Sequence, residues 1–129
     1  MNVRYIKLPD DYEVLAKWWK QHDWPVVPLN YLPLIGLMVD SCAAGFLYKT
    51  DSTIAWIEWI VGDGEVDKVK RRAAVVELVK QLVIVAQSLG YKAVFSSTNK
   101  TSLKEAYLKC GATLTDQNVE HFIWNLSGE

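Results

Sequence analysis

The residues with the most chemical promise lie between Ile54 and Leu89, where a strand, a charged loop and a long apolar helix follow one another. Four of the five residues from Lys68 to Arg72 are basic, and they fall where the loop passes into the helix. Unpaired first-turn amides and the helix dipole favour an anion at such a place, so this run is a candidate site for a phosphate-bearing ligand. The competing reading is a solvated loop whose cations balance Glu65 and Asp67. Glu58 is the one carboxylate in an otherwise apolar strand. Burial raises a carboxylate's pKa toward the range a general base uses. The plainer alternative for Glu58 is a half-wet sheet face where it pairs with a Lys or Arg. His22 and His121 are far apart and lack a partner carboxylate pattern, so both read as structural or surface residues. Cys110, beside Gly111, reads as packing, and no nucleophilic dyad is visible.

The elements that would carry these groups follow from the pattern of the chain. Its 129 residues suit a single domain with one core, spanning residues 1–129. Half the residues are hydrophobic and 22% are charged, which excludes a disordered chain. A net charge of −1 argues against a general nucleic-acid binder. Cys42 and Cys110 have no metal spacing and no export signal precedes them, so a reduced, cytoplasmic setting is expected. The longest apolar stretch, Ala73 to Leu89, is interrupted by Glu77, Lys80 and Gln81, and it falls short of the roughly 20 residues a membrane span needs. A soluble protein is expected.

Val3 to Leu8 alternates as a half-buried strand, and an Asp cap in Pro9-Asp10-Asp11 starts a helix running to about His22. Tyr12, Leu15, Ala16 and Trp19 form its core stripe, with Trp18 beside it and partly exposed. Three prolines between Asp23 and Pro33 make an irregular aromatic loop. Leu34–Asp40 and Ala44–Thr50 pair as a hairpin, and Gly45 marks a bulge or a close backbone approach. Ile54–Val61 is the central strand, and the long helix starts near Arg72 and stops at Gly90. This helix is apolar nearly all round, so it packs inside the domain against the sheet and another element, or partly across a homodimer. Ala93–Ser97 is the strand reached by the crossover. A helix capped by Thr101 or Ser102 then ends at Gly111, and a hairpin of Ala112–Thr115 and Val119–Leu126 closes the chain. The sum is an α/β domain with a mixed sheet.

This order, and the phrases filling it, resembles the GNAT superfamily of acyl-CoA-dependent N-acetyltransferases across essentially the whole chain. Lys70-Arg71-Arg72-Ala73-Ala74-Val75 corresponds to the family's Arg/Gln-x-x-Gly-x-Gly/Ala loop, with Ala73 and Val75 standing where that loop has Gly and Gly or Ala. Asn99 followed by Ala106-Tyr107-Leu108-Lys109-Cys110-Gly111-Ala112 looks like the later family phrase, and Ala44-Gly45-Phe46 is similar to its Val-Gly strand start.

The resemblance implies a mixed, mostly antiparallel central sheet flanked by helices, and an acetyl-CoA co-substrate whose acetyl group passes directly to an amine. By the same likeness the backbone of Trp59, Ile60 and Val61 holds the pantetheine arm. The amides of Arg71, Arg72, Ala73, Ala74 and Val75, with the Lys70 side chain, hold the pyrophosphate, and Asn99 falls in the later cofactor phrase. Glu58 lies where some members keep a catalytic Glu, and Tyr107 falls on the tyrosine that protonates the departing thiolate. The alternative for Tyr107 is a core aromatic, since it shares a helical face with Leu103 and Cys110. Trp24, Tyr31 and Trp56, with Trp18 and Trp19, would wall the site of a small-molecule or protein amine acceptor. The competing function is a GNAT-fold protein that no longer catalyses and serves as an interaction component. Three prolines in the acceptor region, the tryptophan surplus and the missing glycines favour it.

Overall fold

A computed structural model describes residues 1–126. Its five strands are β1 (Val3–Tyr5), β2 (Ile35–Val39), β3 (Ala43–Tyr48), β4 (Ile54–Gly62) and β5 (Ala93–Phe95), in the spatial order β1-β2-β3-β4-β5. Pairings are antiparallel as far as β4, and β4 and β5 are parallel. The parallel step needs a crossover, and α2 (Lys68–Ser88) supplies it. Helix α1 (Tyr12–Gln21) lies between β1 and β2 in sequence, and α3 (Thr101–Lys109) follows β5. This is the mixed, mostly antiparallel α/β sheet that the sequence led us to expect.

Each face of the sheet has its own core. On the α2 face, Ala74, Leu78, Leu82 and Ala86 repeat every four residues, and all are fully buried against Leu37, Leu47 and Ile57. That spacing puts one stripe of the helix on the sheet, and the two alanines let its ends approach closely. On the α1 face, Leu15, Trp18 and Trp19 pack on Met38, Phe46 and Val61. Trp18 is therefore buried, not partly exposed. The α1 stripe is wide enough to lie across β2, β3 and β4, and this draws Trp18 inward beside Trp19.

Several boundaries differ from the expected ones. β1 stops at Tyr5 because its pairing with β2 ends at Tyr5↔Leu37. Asp11 stands at the start of α1 but does not cap it with its side chain. Its carboxylate instead holds Arg4 at 2.8 and 3.0 Å and the Lys7 amide at 2.7 Å. The hydrogen bond from Arg4 keeps that carboxyl below its ordinary pKa. α2 begins four residues earlier than expected. Asp67 is its cap, accepting the Lys70 amide at 3.2 Å, so the basic run Lys68–Arg72 forms the first helical turn. Finally, Ala112–Thr115 and Val119–Leu126 carry no strand pairing, and residues 111–126 are exposed throughout.

Gly45 meets both of the possibilities raised for it. A side chain there would collide with Ile60 and crowd Leu78 and Leu82, and the β3–β4 register shifts between Ala44 and Phe46. Phe46 lies opposite Glu58 while Ala44 lies opposite Val61, so the extra residue sits on β4.

Candidate active site

The bulge determines which β4 residues share a face. Ala55 and Ile57 point to the α2 core and Trp56 lies between them. Glu58 stands opposite Phe46, a residue of the α1 core, and cross-strand partners share a face. Trp59 then takes a left-handed backbone, φ 61°, and also joins the α1 core, so two successive residues face the same way. Alternation resumes with Ile60 against the α2 core and Val61 against the α1 core.

Just before this kink β4 parts from β5. β4 pairs with β5 only from Ile54↔Ala93 to Trp56↔Phe95, whereas it stays paired with β3 as far as Gly62. From Ile57 onward one edge of β4, including the backbone of Trp59, Ile60 and Val61, has no strand partner among the described residues, which leaves a cleft in the pairing between β4 and the chain leaving β5. Ser96 closes the apex of that cleft, its Oγ donating to the Ile57 carbonyl at 2.8 Å. The Tyr107 hydroxyl lies 2.6 Å from the same Oγ. Ser96 has one proton and gives it to a carbonyl, so Tyr107 must be the donor in this pair. Burial pushes the Tyr107 pKa up to about 12, the Glu58 charge adds to the rise, and the Ser96 hydrogen bond opposes it. Tyr107 thus stays protonated throughout the neutral range.

Glu58 is half-buried and accepts the Trp56 indole N–H at 3.0 Å. Trp56 is 36% exposed and leans on Phe95, ring centroids 5.7 Å apart. Alongside runs a second chain of bonds, in which Trp59 Nε1 donates to the Tyr48 hydroxyl at 2.7 Å and Tyr48 donates to the Tyr31 carbonyl at 2.6 Å. The strained Trp59 is held by this chain, which anchors the aromatic loop to the bulge. Tyr48 too is raised above the ordinary phenol range, first by burial.

Trp24 lies elsewhere, at the far end of β4. It stacks on His22 at 4.6 Å, and His22 Nε2 donates to the Gly62 carbonyl at 2.9 Å. Lys100 Nζ sits 5.7 Å from the Trp24 ring centroid, so the α1 loop and the start of α3 meet there. Asn99 is exposed next to it.

The start of α2 does not present the amides expected of it. The Arg71 amide is bonded to the Asp67 carbonyl at 2.9 Å, and Arg72, Ala73, Ala74 and Val75 lie within the helix, where the amides bond four residues back. Ala74 is fully buried on the sheet. The Arg71 side chain folds over Gly62 and donates to the Asp63 carbonyl at 3.3 Å. Lys68, Lys70 and Arg72 are exposed. Any anion at this end meets exposed side chains and at most the Lys68 and Val69 amides, with Asp63, Glu65 and Asp67 close by in sequence.

Sequence reasoning missed Ser96 and Tyr48. Both act through hydroxyl bonds to groups distant in sequence, and no local pattern announces such bonds. The described residues hold no cluster of side chains fit for a metal ion, and no helix among them is long and apolar enough to cross a membrane.

No family model matches the chain, and no curated protein matches it. Solved structures do. Glucosamine-6-phosphate N-acetyltransferase from Arabidopsis thaliana superposes with a TM-score of 0.68 at 14% identity, covering 94% of this chain and 97% of that one. Rv2747 from Mycobacterium tuberculosis, in complex with CoA and NLQ, gives 0.70 at 16% identity over 93% and 76% of the two chains. An aminoglycoside acetyltransferase from an uncultured soil metagenomic sample gives 0.66 at 13% identity over 97% and 95%. The chain therefore has the GNAT fold, from its first strand to its last helix.

Proposed function

We propose that this chain is an acyl-CoA-dependent N-acyltransferase that passes an acetyl group directly to an amine. The observation that carries this reading is the edge of β4 left without a strand partner beyond Trp56, with a protonated phenol at its apex and a carboxylate on its α1 side. The free edge of Trp59–Val61 suits the amides of a pantetheine arm, which would add there as a strand does. The amine attacks the thioester carbonyl, a C–N bond forms and the C–S bond breaks. Glu58 accepts the amine proton, directly or through a water. Tyr107 turns its O–H from Ser96 to the departing sulfur and donates the proton, and Ser96 can then turn its own O–H to the phenolate. Solvent restores the proton to Tyr107 and removes one from Glu58. Trp56 and Tyr31 border the acceptor side, where aromatic faces favour a cationic amine before it deprotonates, while Trp24 stands apart at the Gly62 end of β4.

The phosphate end is held by Lys68, Lys70 and Arg72 as mobile point charges. Because the Lys70 and Arg71 amides are already bonded, this predicts weaker affinity for acetyl-CoA than a fully open backbone cradle would give. The same feature favours a second reading, in which the fold is kept as an interaction component and the chemistry is lost. A thiol-release assay with acetyl-CoA and a panel of primary amines separates the two. Amine-dependent release above the no-enzyme rate supports transfer. Release equal to that rate across the panel supports the interaction protein.

A further inference from the structure

Helix α1 covers one end of its sheet face and leaves the other open. It packs on Met38, Phe46 and Val61, whereas Tyr48, Trp56 and Phe95 continue the same face outside that core. The register aligns these three rings, with Tyr48 opposite Trp56 and Trp56 opposite Phe95. Trp56 is 36% exposed, Phe95 48% and Tyr31 42%, and Tyr31 is held beside the others by the bond from Tyr48. An aromatic platform therefore stands where β4 and β5 part.

The charge on this platform is as particular as its rings. Glu58 is the only carboxylate in the five strands, and no described Lys or Arg forms an ion pair with it. Arg4 is the only cation in the strands, and it is committed to Asp11 at the opposite edge of the sheet. Lys49 lines a hollow with Ile35 and Leu47 on the α2 side, and Lys92 is level with Thr53, before the start of β4. We propose that Trp56, Phe95 and Glu58 select an acceptor with one cationic amine on a short chain from an aromatic ring, an arylalkylamine. The inference rests on the acyl-transfer reading and narrows it. The ring would lie on Trp56 and Phe95, shedding apolar surface from water and gaining offset or edge contacts. The ammonium would lie against Glu58, which then takes its proton. Trp56 Nε1 is 3.0 Å from the carboxylate and its ring centroid 5.7 Å from that of Phe95, so one small molecule can reach both. A phosphate or carboxylate on the acceptor would face Glu58 with no cation to offset it, and a second ammonium would find no second strand carboxylate.

Thiol release from acetyl-CoA by the wild-type chain tests this with phenethylamine, ethylamine and glucosamine 6-phosphate as acceptors. The kcat/KM for phenethylamine should exceed that for ethylamine by about tenfold or more, with glucosamine 6-phosphate lowest. Phe95→Ala should lower the phenethylamine value several-fold through KM, with unchanged circular dichroism because Phe95 lies outside both cores. Equal values for phenethylamine and ethylamine overturn the inference and leave acyl transfer in place. If no amine releases thiol, acyl transfer fails, and saturation-transfer NMR of phenethylamine with the chain decides the platform by itself. Saturation of the phenyl protons that is lost in Phe95→Ala supports it. No saturation, or saturation that the variant retains, overturns it.

Discussion

The two ends of β4 present opposite chemistry. At its Ile57 end, the parting of β4 from β5 leaves a cleft whose apex is lined by hydroxyl groups with assigned proton directions, from Tyr107 to Ser96 to a carbonyl. At its Gly62 end, Asp67 caps a helix that begins early and takes up the Lys70 and Arg71 amides, leaving those of Lys68 and Val69. A backbone edge left unpaired by strand splaying is available to a ligand whatever side chains it carries. A helix N-terminus is available only while no side chain of its own fills it. The chain has kept the first kind of opportunity and closed most of the second.

Tyr107→Phe probes the apex and should have the largest effect. It should lower kcat about a hundredfold while acetyl-CoA affinity changes little, as steady-state kinetics and calorimetry would show. An unchanged kcat would remove Tyr107 from the chemistry and make the two ends alike. Alkaline pH reads the same residue without a substrate. The folded-state pKa of about 12 lies above the usual phenol value near 10, so the folded state keeps its proton longer than the unfolded chain. Tyr107 contributes stability that is full below pH ~10 and lost as pH rises through 12. Denaturant titrations of wild type and Tyr107→Phe should therefore differ in slope between those pH values and run parallel below them.

Gly45→Ala tests the bulge. The added methyl meets Ile60 and presses on Leu78 and Leu82, so we expect a loss of about 1–3 kcal/mol in urea unfolding. Asp67→Ala probes the other end and should cost about 1 kcal/mol by uncapping α2. Freeing the Lys70 amide and removing a carboxylate should at the same time tighten acetyl-CoA a few-fold. Looser binding in that variant would mean that the early helix start aids the ligand. The smallest effect belongs to Lys70→Ala with Arg72→Ala, a rise in acetyl-CoA KM of several-fold with kcat unchanged, because both side chains act from solvent.

Much of the frame was legible from residue pattern. The apolar run Ile54–Val61, the long helix to Gly90 and the helix before Gly111 each announce themselves by period and punctuation, although that last helix begins at Thr101 and neither Thr101 nor Ser102 caps it. The bulge at Trp59 did not, because IAWIEWIVG is apolar on both faces and an extra residue breaks no visible alternation. Glu58 stood out as the one charge in that run, whereas Ser96 was invisible because its partner carbonyl lies 39 residues away. α2 starts at Lys68 rather than near Arg72 because Asp67, an ordinary N-cap residue, takes the Lys70 amide and draws the basic run into the first turn. The expected C-terminal hairpin has the right alternation for strands, but its pairing partner is not within the described fold.

Acyl transfer by this chain requires acetyl-CoA to bind along the β4 edge although the Lys70 and Arg71 amides are already bonded. Isothermal calorimetry of the wild-type chain with acetyl-CoA asks this directly. It should give saturable heat at one site per chain, with a thermal shift that grows with ligand concentration. No heat and no shift at millimolar acetyl-CoA would contradict it, and would leave the cleft as a feature of the fold alone.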